Sequence, residues 1–464
     1  MTSYSLHGAP DAGADFFEVG LGEREITPDL KRHTVWLAGF GSGRRAEGVH
    51  DPLYARAVVL RYGKRKLALI SIDVIGLFYQ EVKAVRAQLA DYEYVLISST
   101  HNHEGPDTLG LWGPNLATTG VDLGYMDYLR QGIIRAVREA EKQLRPAHAR
   151  YGIVRAPELL QDSRLPIVKH DELVVLEFIS RDGQQRRLGL LVQWNCHPET
   201  LGSKNKLISA DFVGVTVRAL VEKYKCRVAY FTGTVGGLLS SLGLPIRDEQ
   251  GRLLADGTWE KTERYGILVA RKVEEALQGA KAVRLVPWRI RRQVVYLPVA
   301  NRYYRAAAQL KVVVRETFLW TGNPYQRREA PPDAKLDDLA IETELGLLEL
   351  GELKIVAIPG EIYPELVVGG VQDPVDPGAD YPEAPIEPIV YEEVKGPVRM
   401  LIGLANDEIG YIIPKRQWDE RPPFCYGRKQ AQYGEINSLG PETAPILLEA
   451  LRRLAREHKD VKLR

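Results

Sequence analysis

Residues 95–107, VLISSTHNHEGPD, constrain this chain more than any other stretch. Val95, Leu96 and Ile97 make an apolar run suited to a buried strand. That run opens through Ser98, Ser99 and Thr100 onto His101 and His103, and Gly105 and Pro106 then turn the backbone away. In an extended segment, side chains two apart point the same way, so His-Asn-His can aim both imidazoles at one ion or one substrate. The plain alternative is a pair of surface histidines in a loop. The strand end is favoured because open α/β sheets gather their chemistry beyond the carboxyl ends of their strands.

The same pattern recurs along the chain. A strand expected over 188–195 delivers Cys196, His197, Pro198 and Glu199, and another over 353–358 ends in Pro359, Gly360, Glu361, Ile362 and Tyr363. A third, over 400–405, precedes Asn406, Asp407, Glu408, Gly410 and Tyr411. The run at 228–232 opens into Gly233, Gly236 and Gly237, where backbone N–H groups can face a ligand. Helices are expected between these strands, over 80–90, 123–144, 211–225, 259–277 and 442–456. In 123–144, Tyr125, Leu129, Ile133, Val137, Ala140 and Leu144 recur at spacings of three and four, which marks one buried face. The alternation predicts a mixed-sheet α/β core whose strand ends deliver these donors to a site. After about residue 283 the strands lengthen, so residues 1–282 read as an α/β part and 283–464 as a strand-rich part contributing metal ligands.

Other stretches carry narrower expectations. Asp73 lies inside the apolar run LALISIDVIGLF and must be paired, because an unpartnered buried carboxylate costs several kcal/mol. Arg56, a helix N-terminus or a site histidine are its candidate partners. The glycines of LAGFGSG, residues 37–43, match neither a dinucleotide nor a P-loop fingerprint and are expected to let backbone pass close to a site. Residues 371–397, rich in Pro, Asp and Glu, read as a long ordered loop or lid.

Lys plus Arg number 62 and Asp plus Glu 61, so no global charge draws the chain to nucleic acid or to anionic membrane. Three widely spaced cysteines, Cys196, Cys226 and Cys425, form neither a disulfide framework nor a cysteine zinc module. No run approaches about 18 apolar residues, and the first residues lack a basic start followed by an apolar core. A cytoplasmic, non-secreted protein with no transmembrane segment is therefore expected, its oligomeric state open to a homo-oligomer.

Four strand ends thus offer imidazole and carboxylate donors: His101 with His103, His197, Glu361, and Asp407 or Glu408 with Tyr411. Such donors around an open position suit catalytic zinc. Nine histidines allow accidental combinations, and His7, His33, His148, His170 and His458 have no comparable context, so they read as surface or local hydrogen-bonding residues.

At these residues the chain resembles the neutral, non-lysosomal ceramidases. THNHEGPD resembles their THTHSGP segment, WNCHPET their FAIHPVS, SADFVG their NSDNVG, IPGEIY their VPGEF, and GVHDPLYARA their GLHxxLYARA, in the same order. The resemblance runs from residue 17 to about 448 and implies one ceramidase-like catalytic domain, without the family's C-terminal immunoglobulin-like domain. It implies a single Zn²⁺ on His101, His197, Glu361 and Tyr411, with His103 at the substrate carbonyl, Tyr433 beside the scissile amide and Arg164 orienting a polar part of the substrate. The general base stays open between Glu361 and His103.

The sequence also departs from the family. Where ceramidases carry an Asn-x-Gly-Asp-x-Ser-Pro run, this chain has FTGTVGGLLSSLG, with Gly237 in place of the aspartate and Ser240 and Ser241 as displaced serine candidates. The expectation is a zinc-dependent hydrolase of a small-molecule or lipid-like amide or ester other than ceramide. Two rivals remain: an amidohydrolase-type barrel using His170, His197 and Asp211, and a non-catalytic metal- or lipid-binding relative.

Overall fold

The apolar runs pair into two large sheets in the computed structural model, which describes residues 16–456 apart from 332. His7 and His458 lie outside the described residues. The first sheet has nine strands. Its path runs Arg227–Thr232, Arg187–Trp194, Glu172–Ser180, Arg145–Arg155, Phe17–Glu25, Tyr54–Tyr62, Arg65–Ile72, Tyr94–Ser99, with Lys281–Val283 added on Arg145–Arg155. The outermost pair at each end of the path is parallel and the inner pairs are antiparallel.

By ladder count, the two terminal strands therefore run in opposite senses. A right-handed twist of about 20–25° per step, accumulated over the path, amounts to roughly 150° and brings them back toward a common heading. Bonds between the edges fasten this curl: Ser71 Oγ donates to the Tyr230 carbonyl, and Thr232 Oγ1 to the Thr100 carbonyl at 2.7 Å. The chain leaving Tyr94–Ser99 and the chain leaving Arg187–Trp194 are thus delivered to one end of the molecule.

The second sheet holds Trp288–Pro298, Leu339–Leu350, Leu353–Ala357 and Arg399–Ile402 in that order, with Thr317–Leu319 on Leu339–Leu350. Gly351 makes the hairpin turn between Leu339–Leu350 and Leu353–Ala357. Its φ is +55°, and a Cβ there would lie 2.3 Å from the Arg284 carbonyl oxygen. Leu353–Ala357 and Arg399–Ile402 are parallel, so their carboxyl ends emerge side by side.

Each sheet is apolar on both faces, which sets the layering. Leu60, Leu96, Leu176 and Phe231 of the first sheet meet Leu348, Ile355, Met400 and Ile402 of the second in a shared core. Helices Tyr79–Gln88 and Leu123–Lys142 cover one half of the first sheet's outer face, through residues such as Leu129, Ile133 and Val137. Asp211–Tyr224 and Trp259–Gln278 cover the other half. Thr443–Arg456 covers the far face of the second sheet. The result is four layers, helices on sheet on sheet on helices, a mixed α/β fold and not a barrel of βα units.

Asp73 takes the structural one of its candidate partners. Arg56 Nη1 reaches both carboxylate oxygens, at 2.8 and 2.7 Å, and the Tyr54 amide donates at 2.9 Å. The stretch 371–397 is an ordered loop pinned to the segment that follows Tyr411, through Gln372 to Gln417, Asp380 to Trp418 and Glu387 to Lys415. None of these bonds reaches the histidines. Helix Arg302–Gln309, started by Asn301 accepting from the Tyr303 and Tyr304 amides, was not expected; it is only eight residues long and none of its residues is buried.

Candidate metal centre

His101 leaves its strand end in the left-handed region, with φ +66°, which turns its ring across the sheet edge. Its Nδ1 lies 2.8 Å from the Ile75 carbonyl oxygen. His197 is held in the same way, Nδ1 being 3.0 Å from the Leu239 carbonyl oxygen. A carbonyl only accepts, so Nδ1 carries the hydrogen in both rings and each Nε2 is left with a lone pair.

Both lone pairs face one carboxylate. Glu361 Oε2 lies 2.9 Å from His197 Nε2 and 3.3 Å from His101 Nε2. Two acceptor nitrogens against an acceptor oxygen repel unless a cation, a proton or a metal ion, lies among them. The same opposition pulls on the charges. Burial alone would lower His197 and raise Glu361, yet the hydrogen bond between them raises His197, and the two imidazoles hold Glu361 well below the usual carboxylate range.

His103 completes the cluster. Its ring centroid is 5.0 Å from that of His101 and 5.7 Å from that of His197. Among the described residues, one donor atom from each of these three imidazoles lies within 4.8 Å of the others, a group that could hold a metal ion. Neither nitrogen of His103 has a hydrogen-bond partner among the described residues, although the ring is buried. Burial, the two neighbouring imidazoles and Arg44 push its pKa well below the ordinary histidine value, which keeps the ring neutral.

The glycine-rich loop sets that ring in place. A Cβ on Gly39, whose φ is +92°, would lie 2.2 Å from His103 Cγ, so only glycine lets the two segments pass. Phe40 stands edge-to-face on the imidazole at 5.0 Å, and Arg44 Nη2 donates to the His103 carbonyl at 2.7 Å and to Glu104 at 2.9 Å.

Glu361 and Tyr411 are neighbours by register. Glu361–Ile362 and Tyr411–Ile412 form a short parallel pair with Glu361 opposite Tyr411, so both side chains leave the same face. Burial and the Glu361 charge push the Tyr411 phenol well above its usual value. Tyr433 stands outside it, 51% exposed, with its ring 6.1 Å from that of Tyr411. Burial, Glu361 and Glu199 push Tyr433 up to about 12, so it is a neutral O–H donor at pH 7.

Arg164 lies behind this arrangement. It is 2% exposed; Nη1 donates to the Tyr433 carbonyl at 2.7 Å and to Glu435 at 2.9 Å, and Nη2 donates to Glu435 at 2.7 Å and to the Gln417 carbonyl at 3.1 Å. Both terminal nitrogens are engaged in holding the Tyr433 loop, not turned to a ligand.

The serines of the departing segment are engaged as well. Ser240 Oγ donates to Glu199, and Ser241 Oγ is 2.7 Å from Thr200 Oγ1. Glu199 was delivered by the sequence pattern without being assigned a part. Its Oε2 lies 3.4 Å from His103 Nδ1. The signal was its place two residues after His197, just past the end of a strand. The ligand set of the barrel alternative does not assemble: His170 Nδ1 is 2.8 Å from Thr234 Oγ1, and the Asp211 carboxylate accepts from the Leu201 and Phe212 amides.

Residues 17–158 match the family described as neutral/alkaline non-lysosomal ceramidase, N-terminal. A neutral ceramidase of Pseudomonas aeruginosa is 26% identical over 286 residues, 56% of this chain and 42% of the relative, so the match spans less than half of that protein's length. Two solved structures are similar over 96% of this chain and 75% of theirs. One, described as ceramidase complexed with C2, has a TM-score of 0.69 at 16% identity. The other, a crystal structure of neutral ceramidase from Pseudomonas aeruginosa, has a TM-score of 0.70 at 17% identity. At such identities the structures speak for a shared mixed α/β fold.

Proposed function

We propose that this chain, a divergent relative of the neutral/alkaline non-lysosomal ceramidases, is a zinc-dependent hydrolase of amide or ester bonds whose substrate is not ceramide. One observation carries the reading: His101 and His197, each with Nδ1 tied to a backbone carbonyl, turn their Nε2 lone pairs onto the same Glu361 oxygen. His101, His197 and Glu361 would hold the ion, with Tyr411 beside Glu361 as the fourth donor. A zinc ion held by these residues would supply a Lewis acid and would lower the pKa of water to about 7.

The rest falls to the protein. His103, neutral and without a partner on Nε2, can accept a proton from the attacking water and return it to the leaving amine or alkoxide. Tyr433, neutral below about pH 12, donates a hydrogen bond to the carbonyl oxygen as charge develops on it. Arg164 acts on Tyr433 through the loop it fastens, and is better described as a positioning residue than as a substrate contact. Both sheets contribute, so residues 16–456 would work as one catalytic unit.

The mutual closeness of all three imidazoles favours a second arrangement, in which His103 is itself a ligand. The two arrangements differ in whether His103→Ala keeps its metal. The substrate reading rests on residues 236–241: Gly237 takes φ +73° in a tight turn, and both serines are engaged inside the protein, so few donors remain to read sphingoid hydroxyls. Screening purified, metal-analysed protein on short and long N-acyl amides and esters, with and without a chelator, tests the function. Chelator-sensitive turnover supports it; no turnover across the panel favours a non-catalytic relative.

A further inference from the structure

We propose that Glu199 is the positioning residue of His103, holding its imidazole as the Nδ1–H tautomer with Nε2 turned to the site, and that Ser240 anchors Glu199 for this purpose. Of the three clustered imidazoles, His101 and His197 are oriented by backbone carbonyls, whereas His103 has none. The group facing its Nδ1 is a carboxylate oxygen, Glu199 Oε2, at 3.4 Å, which a small rotation of the ring closes to a hydrogen bond. A carboxylate only accepts, so the nitrogen beside it must carry the hydrogen.

The other oxygen, Oε1, accepts from Ser240 Oγ. Ser240 cannot drift, because its amide donates to the Gln161 carbonyl and its own carbonyl accepts from the Gln161 amide, both at 2.9 Å, while the Leu242 amide donates to Ser240 Oγ at 3.0 Å. Ser240, Glu199 and His103 thus form one buried chain that ends at the site. WNCHPET places Glu199 where the resembling ceramidase segment FAIHPVS has valine, so the device belongs to this chain and not to the shared pattern. It also gives the displaced Ser240 a part: it holds Glu199.

What the oriented Nε2 does rests on the hydrolase reading; the tautomer itself does not. The test uses the full chain loaded with Zn²⁺, and compares wild type with Glu199→Ala, Glu199→Asp and Ser240→Ala. Imidazole ¹⁵N NMR reports the His103 tautomer, assigned with His103→Ala, and turnover is followed on a short-chain N-acyl amide and a nitrophenyl ester. The expected result is a wild-type Nδ1–H tautomer that becomes mixed in Glu199→Ala, with kcat lowered about 10- to 100-fold, the range seen when a carboxylate behind an imidazole is removed. KM should stay within about threefold, zinc content should be unchanged, and Glu199→Asp should restore part of kcat. Ser240→Ala should lower kcat less, and add nothing in the Glu199→Ala background.

An unchanged tautomer with kcat within about twofold of wild type overturns the proposal. So does a raised KM with kcat kept, which would place Glu199 on the substrate, or loss of zinc in Glu199→Ala. If the wild type turns over nothing on the panel, the hydrolase reading fails while the tautomer measurement still decides this one.

Discussion

Glu361 Oε2 lies 2.9 Å from His197 Nε2, and this contact ties a strand end of the second sheet to a strand end of the first. The residues are 164 apart in sequence. They meet because the first sheet curls until its edges share a heading, and because the parallel pair Leu353–Ala357 and Arg399–Ile402 opens at that same end. A site assembled in this way depends on the register of both sheets, so several distant substitutions should affect it in separable ways.

Gly39→Ala is the sharpest steric test. The added methyl would overlap the His103 ring, and the φ of +92° suits no residue with a Cβ. A stability loss of about 1–3 kcal/mol is expected from the strained backbone, read from urea unfolding. Turnover should fall at least about tenfold while zinc content stays near wild type, since His101 and His197 are held elsewhere.

Arg164→Ala removes the partner of buried Glu435 and the anchor of the Tyr433 carbonyl. Breaking such a buried pair costs about 3–5 kcal/mol. A lower unfolding midpoint is expected, with lower turnover at temperatures where the variant is still folded and with unchanged metal content. Loss of zinc instead would mean that the Tyr433 loop also shapes the ligand set.

Much of this was legible in the sequence, because apolar runs that end in His, Glu or Tyr announce both a strand and what the strand delivers. The Leu123–Lys142 helix was legible for a similar reason, its apolar face recurring at helical spacing. What escaped depended on partners remote in sequence. The part played by Arg164 is decided by Glu435, and nothing near Arg164 reveals that pairing. Glu199 stood in plain view but became informative only when the ring of His103 was seen to face it. The loop at 371–397 has lid-like composition, yet its hydrogen bonds run to 415–426, a pairing no local pattern encodes.

The pH dependence of stability should show Glu365. Burial pushes its carboxyl up to about 7; Oε1 accepts from Gln417 Nε2 and Oε2 has no partner among the described residues. A carboxyl raised in the folded state is protonated there while the unfolded chain has already ionised. Its contribution therefore favours folding at low pH and is lost as pH rises from about 4.5 to about 7. Glu365→Gln should flatten that fall, gaining up to about 3 kcal/mol at pH 8 relative to pH 4. Parallel pH profiles for the two proteins would contradict the assignment.

The substrate claim is tested by competition. With Ser240 and Ser241 engaged internally, ceramide should be a poor substrate, with kcat/KM below about 10⁴ M⁻¹s⁻¹, the low end for ordinary enzymes. Smaller N-acyl amides or esters should exceed it. Efficient ceramide cleavage would show that its hydroxyls are read by other groups at the site.

The most direct test of the proposed metal site is the zinc content of wild type, His101→Ala and His103→Ala, measured by plasma mass spectrometry beside turnover. The account predicts about one zinc per chain in wild type, little in His101→Ala, and about one in His103→Ala with turnover down roughly a hundredfold or more. Zinc lost equally from both variants would make His103 a ligand; a wild type that binds no metal, or that works undiminished after chelation, would contradict the account.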